Sequence, residues 1–338
     1  MKAAIADLAN LARPLRIARA ARRCLIACVA GLPLSAALAA GYPDRPLHWV
    51  VPYPPGGTTD VIARDVAQAV SQALNIAIVI DNRGGAGGQI AMNWVAKAAP
   101  DGYTLLVSDA SLATVPSLYD NLPFDPVKDF APISQFVTVP NIVVVNPALP
   151  VHSLAELIAL SKQRGGKIDF GSGGVGSPLH LAGEALRLAT GIQWTHIPYK
   201  GAGPALIATI TGEVQVSTPS LPAALPQVEA GQLRVLAVSA PARLDVLPNV
   251  PTVAELGYPK ATAFGWVGLH APAGTPPAVI AKLETAIAQA MHDPTLLKRL
   301  HDQGAQPAPQ PAAAYGQLIA SETARWKAVV QAAGIPRQ

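Results

Sequence analysis

The chain has 338 residues, half of them apolar, 14% charged and 5% aromatic, which describes a globular protein long enough for two ordinary domains. Its formal charge of +4 invites a nucleic-acid reading, but Lys2, Arg13, Arg16, Arg19, Arg22 and Arg23, opposed by Asp7 alone, put +5 before residue 40. The remainder carries −1, so there is no electrostatic footprint for nucleic acid.

The basic start reads as an export signal. Arg22 and Arg23 precede an apolar stretch from Cys24 to Leu38, and Ala37-Leu38-Ala39 is a small-x-small cleavage pattern. At about 15 residues the stretch is too short to span a bilayer comfortably. Residues 1–39 are therefore expected to be a cleavable signal peptide, addressing the protein to the periplasm. Both cysteines, Cys24 and Cys28, fall inside it, so a mature chain would have no disulfide and no thiol chemistry.

From residue 45 strands alternate with helices. Leu47–Pro52 reads as a strand, 54–59 as a turn, and Ile62, Val66, Val70 and Leu74 as a helix face. Strands follow at Ile76–Ile80 and Tyr103–Val107, separated by the glycine loop Asn82–Gly88 and a helix to about Ala98. Further strands are expected at Asn141–Val145, Ile168–Phe170, Trp194–Ile197, Val214–Val216, Leu233–Ser239 and Gly265–His270. Ser153…Glu156 and Thr252…Glu255 are capping boxes, and Ser177-Pro178 is a cap with proline at the first helical position. Pro307–Pro311 reads as a short connector, with helices from Pro276 to about Met291 and over 313–332. The alternation predicts an α/β protein whose parallel sheets are joined by crossover helices. The chain is expected to cross between domains near Val144–Pro147 and Trp266–Gly268, giving one lobe from 40–143 plus 267–338 and a second from 144–266.

Three segments carry candidate chemistry. The first is Tyr53, Gly56, Gly57, Thr58, Thr59 and Asp60, between a strand and a helix N-terminus, where free N–H groups and the helix dipole attract anions. Asp60 reads first as a first-turn acid that stabilises its helix; facing a ligand, it would repel a carboxylate unless it held an amine or water. The second is Gly171–Ser177. It formally matches a dinucleotide fingerprint but lacks the acidic residue after the next strand, so it reads better as a second anion site built on Ser172, Gly173 and Ser177. The third is Pro198–Gly201, in which Tyr199 and Lys200 are carboxylate donors or an exposed turn. No P-loop, nucleophile elbow or metal-ligand spacing is present, so neither a metal nor a cofactor is expected. Two anion sites across a cleft would clamp both ends of a diacid.

The runs VVPYPPGGTTD (50–60), DNRGGAGGQIA (81–91), KAAPDGYTLL (97–106), GSGGVGSPLHLAGE (171–184), HIPYKGAGPA (196–205), LPNVPTVAELGYP (247–259) and GWVGLHAPAGTP (265–276) resemble the receptors of tripartite tricarboxylate transporters, the Bug or TctC-like family. The likeness covers essentially the whole chain after the signal, with Gly84 standing where the family motif has proline. It implies a two-lobed periplasmic binding fold of the Venus-flytrap type. It also implies a cleft that takes carboxylates through the loops matching 53–60 and 171–177, and a two-component membrane permease as partner. The receptor is expected to be a monomer without catalysis. An exported enzyme on the glycine loops and a sensory receptor are the competing readings.

Overall fold

The computed structural model describes residues 41–337; the expected signal peptide lies outside them. In chain order the elements are β1 (Leu47–Val51), α1 (Thr58–Leu74), β2 (Ile78–Asn82), α2 (Gln89–Ala96), β3 (Thr104–Asp109), α3 (Ser111–Leu118), β4 (Phe130–Val139), β5 (Asn141–Val145) and α4 (Leu154–Gln163). They continue with β6 (Asp169–Ser172), α5 (Pro178–Thr190), β7 (Thr195–Pro198), α6 (Ala202–Thr211), β8 (Val216–Ser217), α7 (Leu221–Glu229) and β9 (Arg234–Ser239). Last come β10 (Gly265–Pro272), α8 (Pro277–Ala290), α9 (Pro294–Asp302), β11 (Gln306–Pro311) and α10 (Ala312–Ala333). Among the described residues no helix is long and apolar enough to cross a membrane.

Two sheets carry the fold, one ordered β11-β4-β10-β3-β1-β2 and the other β7-β6-β8-β5-β9. The expected α/β layering is present, but the sheets are mixed rather than mainly parallel. The strands joined through helices, β1 with β2 and β3 and β6 with β7 and β8, pair in parallel. Those next to a change of sheet, β4, β5, β9 and β10, enter against that direction and pair antiparallel. The first change of sheet falls at Pro140, between β4 and β5, so Val144 lies well inside β5. The second falls between β9 and β10, which places Trp266–Gly268 inside the larger sheet. Asn141 ties the two crossings together, its side-chain amide donating to the Ala263 carbonyl at 3.1 Å.

Sequence patterning accounts for most elements. Ile62, Val66 and Val70 recur along α1 and are fully buried, and Asn75 closes that helix in the left-handed region. Ser153 caps α4 by accepting the Glu156 N–H, while the Glu156 carboxylate reaches back to the His152 N–H. One expectation holds without opening a helix, and one fails. The box at Thr252 and Glu255 forms in both directions, at 2.7 and 3.1 Å, yet closes only a turn, because Gly257 leaves at φ +92 and Pro259 follows. The proline-rich connector at 307–311 is a strand, β11. It runs along the sheet edge, pairing with β4 alone, where missing N–H groups do least harm.

Packing in the smaller lobe is tight at Phe170, which stacks on Trp194 at 4.6 Å, inside the range for favourable aromatic pairs. Gly183 of α5 lies directly over that ring, and a β-carbon there would sit 2.1 Å from Phe170 Cζ. Alanine would gain about 0.8–1 kcal/mol of helix propensity but pay about 1–3 kcal/mol for overpacking. The steric effect wins, so Gly183→Ala is expected to lower the thermal midpoint; an unchanged or raised midpoint would show that Phe170 moves aside at no cost.

Candidate functional site

The loop after β1 is set by a hydrogen-bond cluster centred on Asp60, which is only 2% exposed. Gly56, at φ +89, turns its N–H onto Asp60 Oδ2 at 2.9 Å. Arg64 Nε reaches the same oxygen at 3.0 Å, and Asn82 Nδ2 donates to Oδ1 at 2.8 Å and to the Tyr53 carbonyl at 3.0 Å. Burial by itself would raise the Asp60 pKa, but the donors Arg64, Gly56 and Asn82 hold it below the ordinary carboxylate value. Asp60 and Gly56 thus shape the loop from behind and do not line the cleft. Gly84 packs against its front half, where a β-carbon would meet Pro54 Cδ at 2.9 Å.

Between the sheets lies a cleft of about 410 Å³. The larger lobe contributes Tyr53, Gly57, Thr58, Thr59, Asp109 and Ser111. The smaller contributes Gly173, Ser177, Leu179, Ala202 and Ser220, while Val139, Asn141, Phe264 and Trp266 stand where the chain crosses. Of the residues predicted from sequence, Tyr53, Gly57, Thr58, Thr59, Gly173 and Ser177 come together here. Three others turn elsewhere. Ser172 is fully buried, its hydroxyl 2.6 Å from His196 Nε2 and bonded to the Gly174 backbone. Tyr199 donates to Glu213 at 2.8 Å, and burial with that carboxylate pushes its phenol up to about 12. Lys200 is exposed at the surface.

The cleft gathers helix N-termini. The first turn of a helix leaves N–H groups without intrahelical acceptors. In α1 the cap is Gly57 and in α6 it is Gly201, and neither has a side-chain acceptor for those groups. These two starts come from opposite lobes, with Thr58 and Ala202 in the cleft wall. The other starts are partly satisfied. Ser177 accepts the His180 N–H at 3.2 Å, which leaves its own hydroxyl proton available. The first N–H of α7 goes to the Pro140 carbonyl at 2.8 Å. Ser111 N, at the start of α3, goes to Asp109 Oδ1 at 2.9 Å.

Asp109 was not singled out from the sequence, although it ends β3 on the carboxyl side, where α/β sheets bind ligands. Its Oδ1 accepts from Tyr53 Oη at 3.2 Å and from the Ser111 hydroxyl, and Oδ2 accepts from Thr59 Oγ1 at 3.1 Å. Burial, followed by the Asp109 charge, pushes the Tyr53 phenol well above its usual value, so it stays a neutral donor.

The loop carrying Gly173 and Ser177 is backed by two stacked imidazoles, His180 on His196, 3.8 Å apart. Gly176 N donates to His180 Nδ1 at 3.0 Å, which requires that nitrogen to be unprotonated. Around His180 stand Glu184, at 3.9 Å from Nε2, Arg187 and His196; burial first, then His196 and Arg187, lower its pKa to about 4.

Both the His180 and Asp60 shifts are downward, so the stability they contribute is present above the unfolded pKa and is lost as pH falls through the folded one. The thermal midpoint is therefore expected to decline between the ordinary histidine value of 6.5 and about 4, with Asp60 adding to the loss at still lower pH. His180→Asn is expected to flatten the upper part of that decline in a pH series of melting curves; an unaltered slope would remove His180 from the account.

Comparison with known proteins agrees with this architecture. The profile of the tripartite tricarboxylate transporter family receptor matches residues 62–335. The protein BugT of Bordetella pertussis is 40% identical over 295 residues, covering 87% of this chain and 90% of that protein. Among solved structures, R. palustris Rpa4515 with adipate is 36% identical with a TM-score of 0.76, over 88% of this chain and all of the other. MatC (Rpa3494) from Rhodopseudomonas palustris with bound malate is 32% identical with a TM-score of 0.71, over 86% of this chain and all of the other. With its profile matched along most of its length and its two lobes built in the same way, the chain belongs to the receptor family of the tripartite tricarboxylate transporters.

Proposed function

We propose that this protein is a periplasmic receptor that captures a small organic acid, a dicarboxylate or a related acid, in the cleft between its lobes and delivers it to membrane permease subunits. The observation that carries the reading is the pair of helix starts, α1 and α6, that enter one cleft from opposite lobes with N–H groups uncapped by any side chain. Anions are stabilised at such ends by the N–H groups and the helix dipole. A carboxylate at each start would be held by both lobes at once, so binding would favour the closed form over the open one. Two relatives support the class of ligand, one described with adipate and the other with malate. In this reading one lobe comprises residues 40–139 and from 265 onward, and the other comprises 141–264. Residues 1–39 are a cleaved export signal, and the mature receptor acts as a monomer.

A panel of mono-, di- and tricarboxylates tests the reading on protein unfolded and refolded to strip bound ligand. A ligand at 100 times its Kd stabilises by about 2.7 kcal/mol, which is a shift of a few degrees for a chain of this size. No shift with any acid would end the proposal.

The N–H groups themselves can be tested at Thr58. It is the first helical position, where proline is well tolerated, and Gly57 before it is extended at φ −76, ψ 164, as a residue preceding proline must be. Thr58→Pro is expected to keep the thermal midpoint of the empty protein and weaken acid binding by about tenfold, the worth of one hydrogen bond to a charged group. Thr58→Ala and Ser177→Ala, which remove hydroxyls, are expected to weaken binding less. Equal affinity in all three variants and the parent would move the ligand away from these residues.

A further inference from the structure

We infer that the ligand carries a cationic nitrogen beside its carboxylates, and that Asp109 receives it. The inference rests on the carboxylate-receptor reading and narrows it. Among the described residues that line the cleft there is no Lys, Arg or His, and the one carboxyl group is that of Asp109. The cleft therefore sets a fixed negative side chain among the groups expected to bind an anion. A bare diacid would meet repulsion from it with no compensating cation in the wall. An acid bearing an ammonium group would instead find one partner of each sign.

The hydrogen-bond count at Asp109 leaves room for such a group. An ionised carboxylate offers about four acceptor positions, two on each oxygen. Oδ1 takes Tyr53 Oη, Ser111 N and the Ser111 hydroxyl, so it is saturated. Oδ2 takes Thr59 Oγ1 alone, which leaves it one acceptor direction. Asp109 is partly exposed rather than enclosed. Phe264, Trp266 and Trp326 line the same cleft, and aromatic rings are favourable company for a desolvated ammonium. The hydroxyls of Tyr53, Thr59 and Ser111 direct their O–H bonds at Asp109, so toward a ligand they present oxygen lone pairs, which also suit a donor rather than an anion.

A purely structural Asp109, there to orient three hydroxyls, makes a different prediction, and the two separate on a matched ligand series. Succinate, malate and aspartate differ at one carbon, which bears hydrogen, hydroxyl or ammonium; adipate and 2-aminoadipate repeat the comparison at greater length. Calorimetric Kd values would be measured on stripped parent protein and on Asp109→Asn. In the parent the ammonium acid is expected to bind about ten- to a hundredfold tighter than its unsubstituted analogue, the worth of a charge-assisted hydrogen bond, with the hydroxy acid between. Asp109→Asn is expected to erase or reverse that order by weakening the amino acids and strengthening the bare diacids. A uniform loss across the series would assign Asp109 a structural role only and overturn the inference. N-acetylaspartate, which keeps an N–H but loses the charge, supplies the same test on parent protein alone if the variant does not fold, and it is expected to bind no tighter than succinate. Bare diacids binding as tightly as the amino acids would overturn the inference and leave the carboxylate receptor standing. Silence with every acid would remove both.

Discussion

The first turns of α1 and α6 contain backbone N–H groups that neither their own helices nor any capping side chain satisfies, because the caps are Gly57 and Gly201. Thr58 and Ala202, the first residues of these helices, are exposed in the cleft wall, so the N–H groups of those turns stand open to an anion that enters the cleft. Much of the site follows from keeping these two starts uncapped and opposed. Glycine at each cap position supplies no competing acceptor, and Gly173 lets its loop approach α6 so closely that a β-carbon would lie 3.1 Å from Ala202 N.

Around that polar gap the protein uses carboxylates in two distinct ways. Asp60 is turned inward and saturated by Gly56, Arg64 and Asn82, and it holds the cleft loop in place. Asp109 stands at the end of β3 on the cleft wall and gathers the hydroxyls of Tyr53, Thr59 and Ser111. The first acid is paired with a guanidinium and turned away from the cleft; the second lines the cleft wall. On the opposite lobe the supporting role passes to neutral imidazoles. His180 accepts the Gly176 N–H, and His196 stacks on it and bonds Ser172, so that loop is stiffened without adding charge.

The chain passes between sheets at Pro140 and again before Gly265, and both passages border the cleft. Asn141 bonds the first crossing to the second through the Ala263 carbonyl. The position that joins the two sheets is thus one that also lines the cleft. The cost of this arrangement is topological. Strands entering from the other lobe run against the βα direction, so each sheet becomes mixed.

Local chemistry determined a good part of this protein in the one-dimensional pattern. Glycine and threonine after a strand announce an uncapped helix start, Ser177-Pro178 announces a capped one, and the stripe of Ile62, Val66 and Val70 announces the buried face of α1. Where these signals were absent or mixed, elements went unread. The helix α3 contains Pro116, α7 contains Pro226, and β4 carries Pro132 and Gln135 within an apolar run. The Pro-rich β11 is a strand only because it found a sheet edge on which lost donors do not matter. Side-chain direction lay beyond the sequence altogether. Nothing in the order of residues says that Asp60 points back to Asn82, that Tyr199 turns to Glu213, or that Asp109 faces the cleft, because each partner lies 14 or more residues away and is brought near only by the sheets. Periodicity and capping are local, and so they are written in the chain; which carboxylate is paired inside and which faces the cleft depends on long-range neighbours, and only the folded structure supplies them.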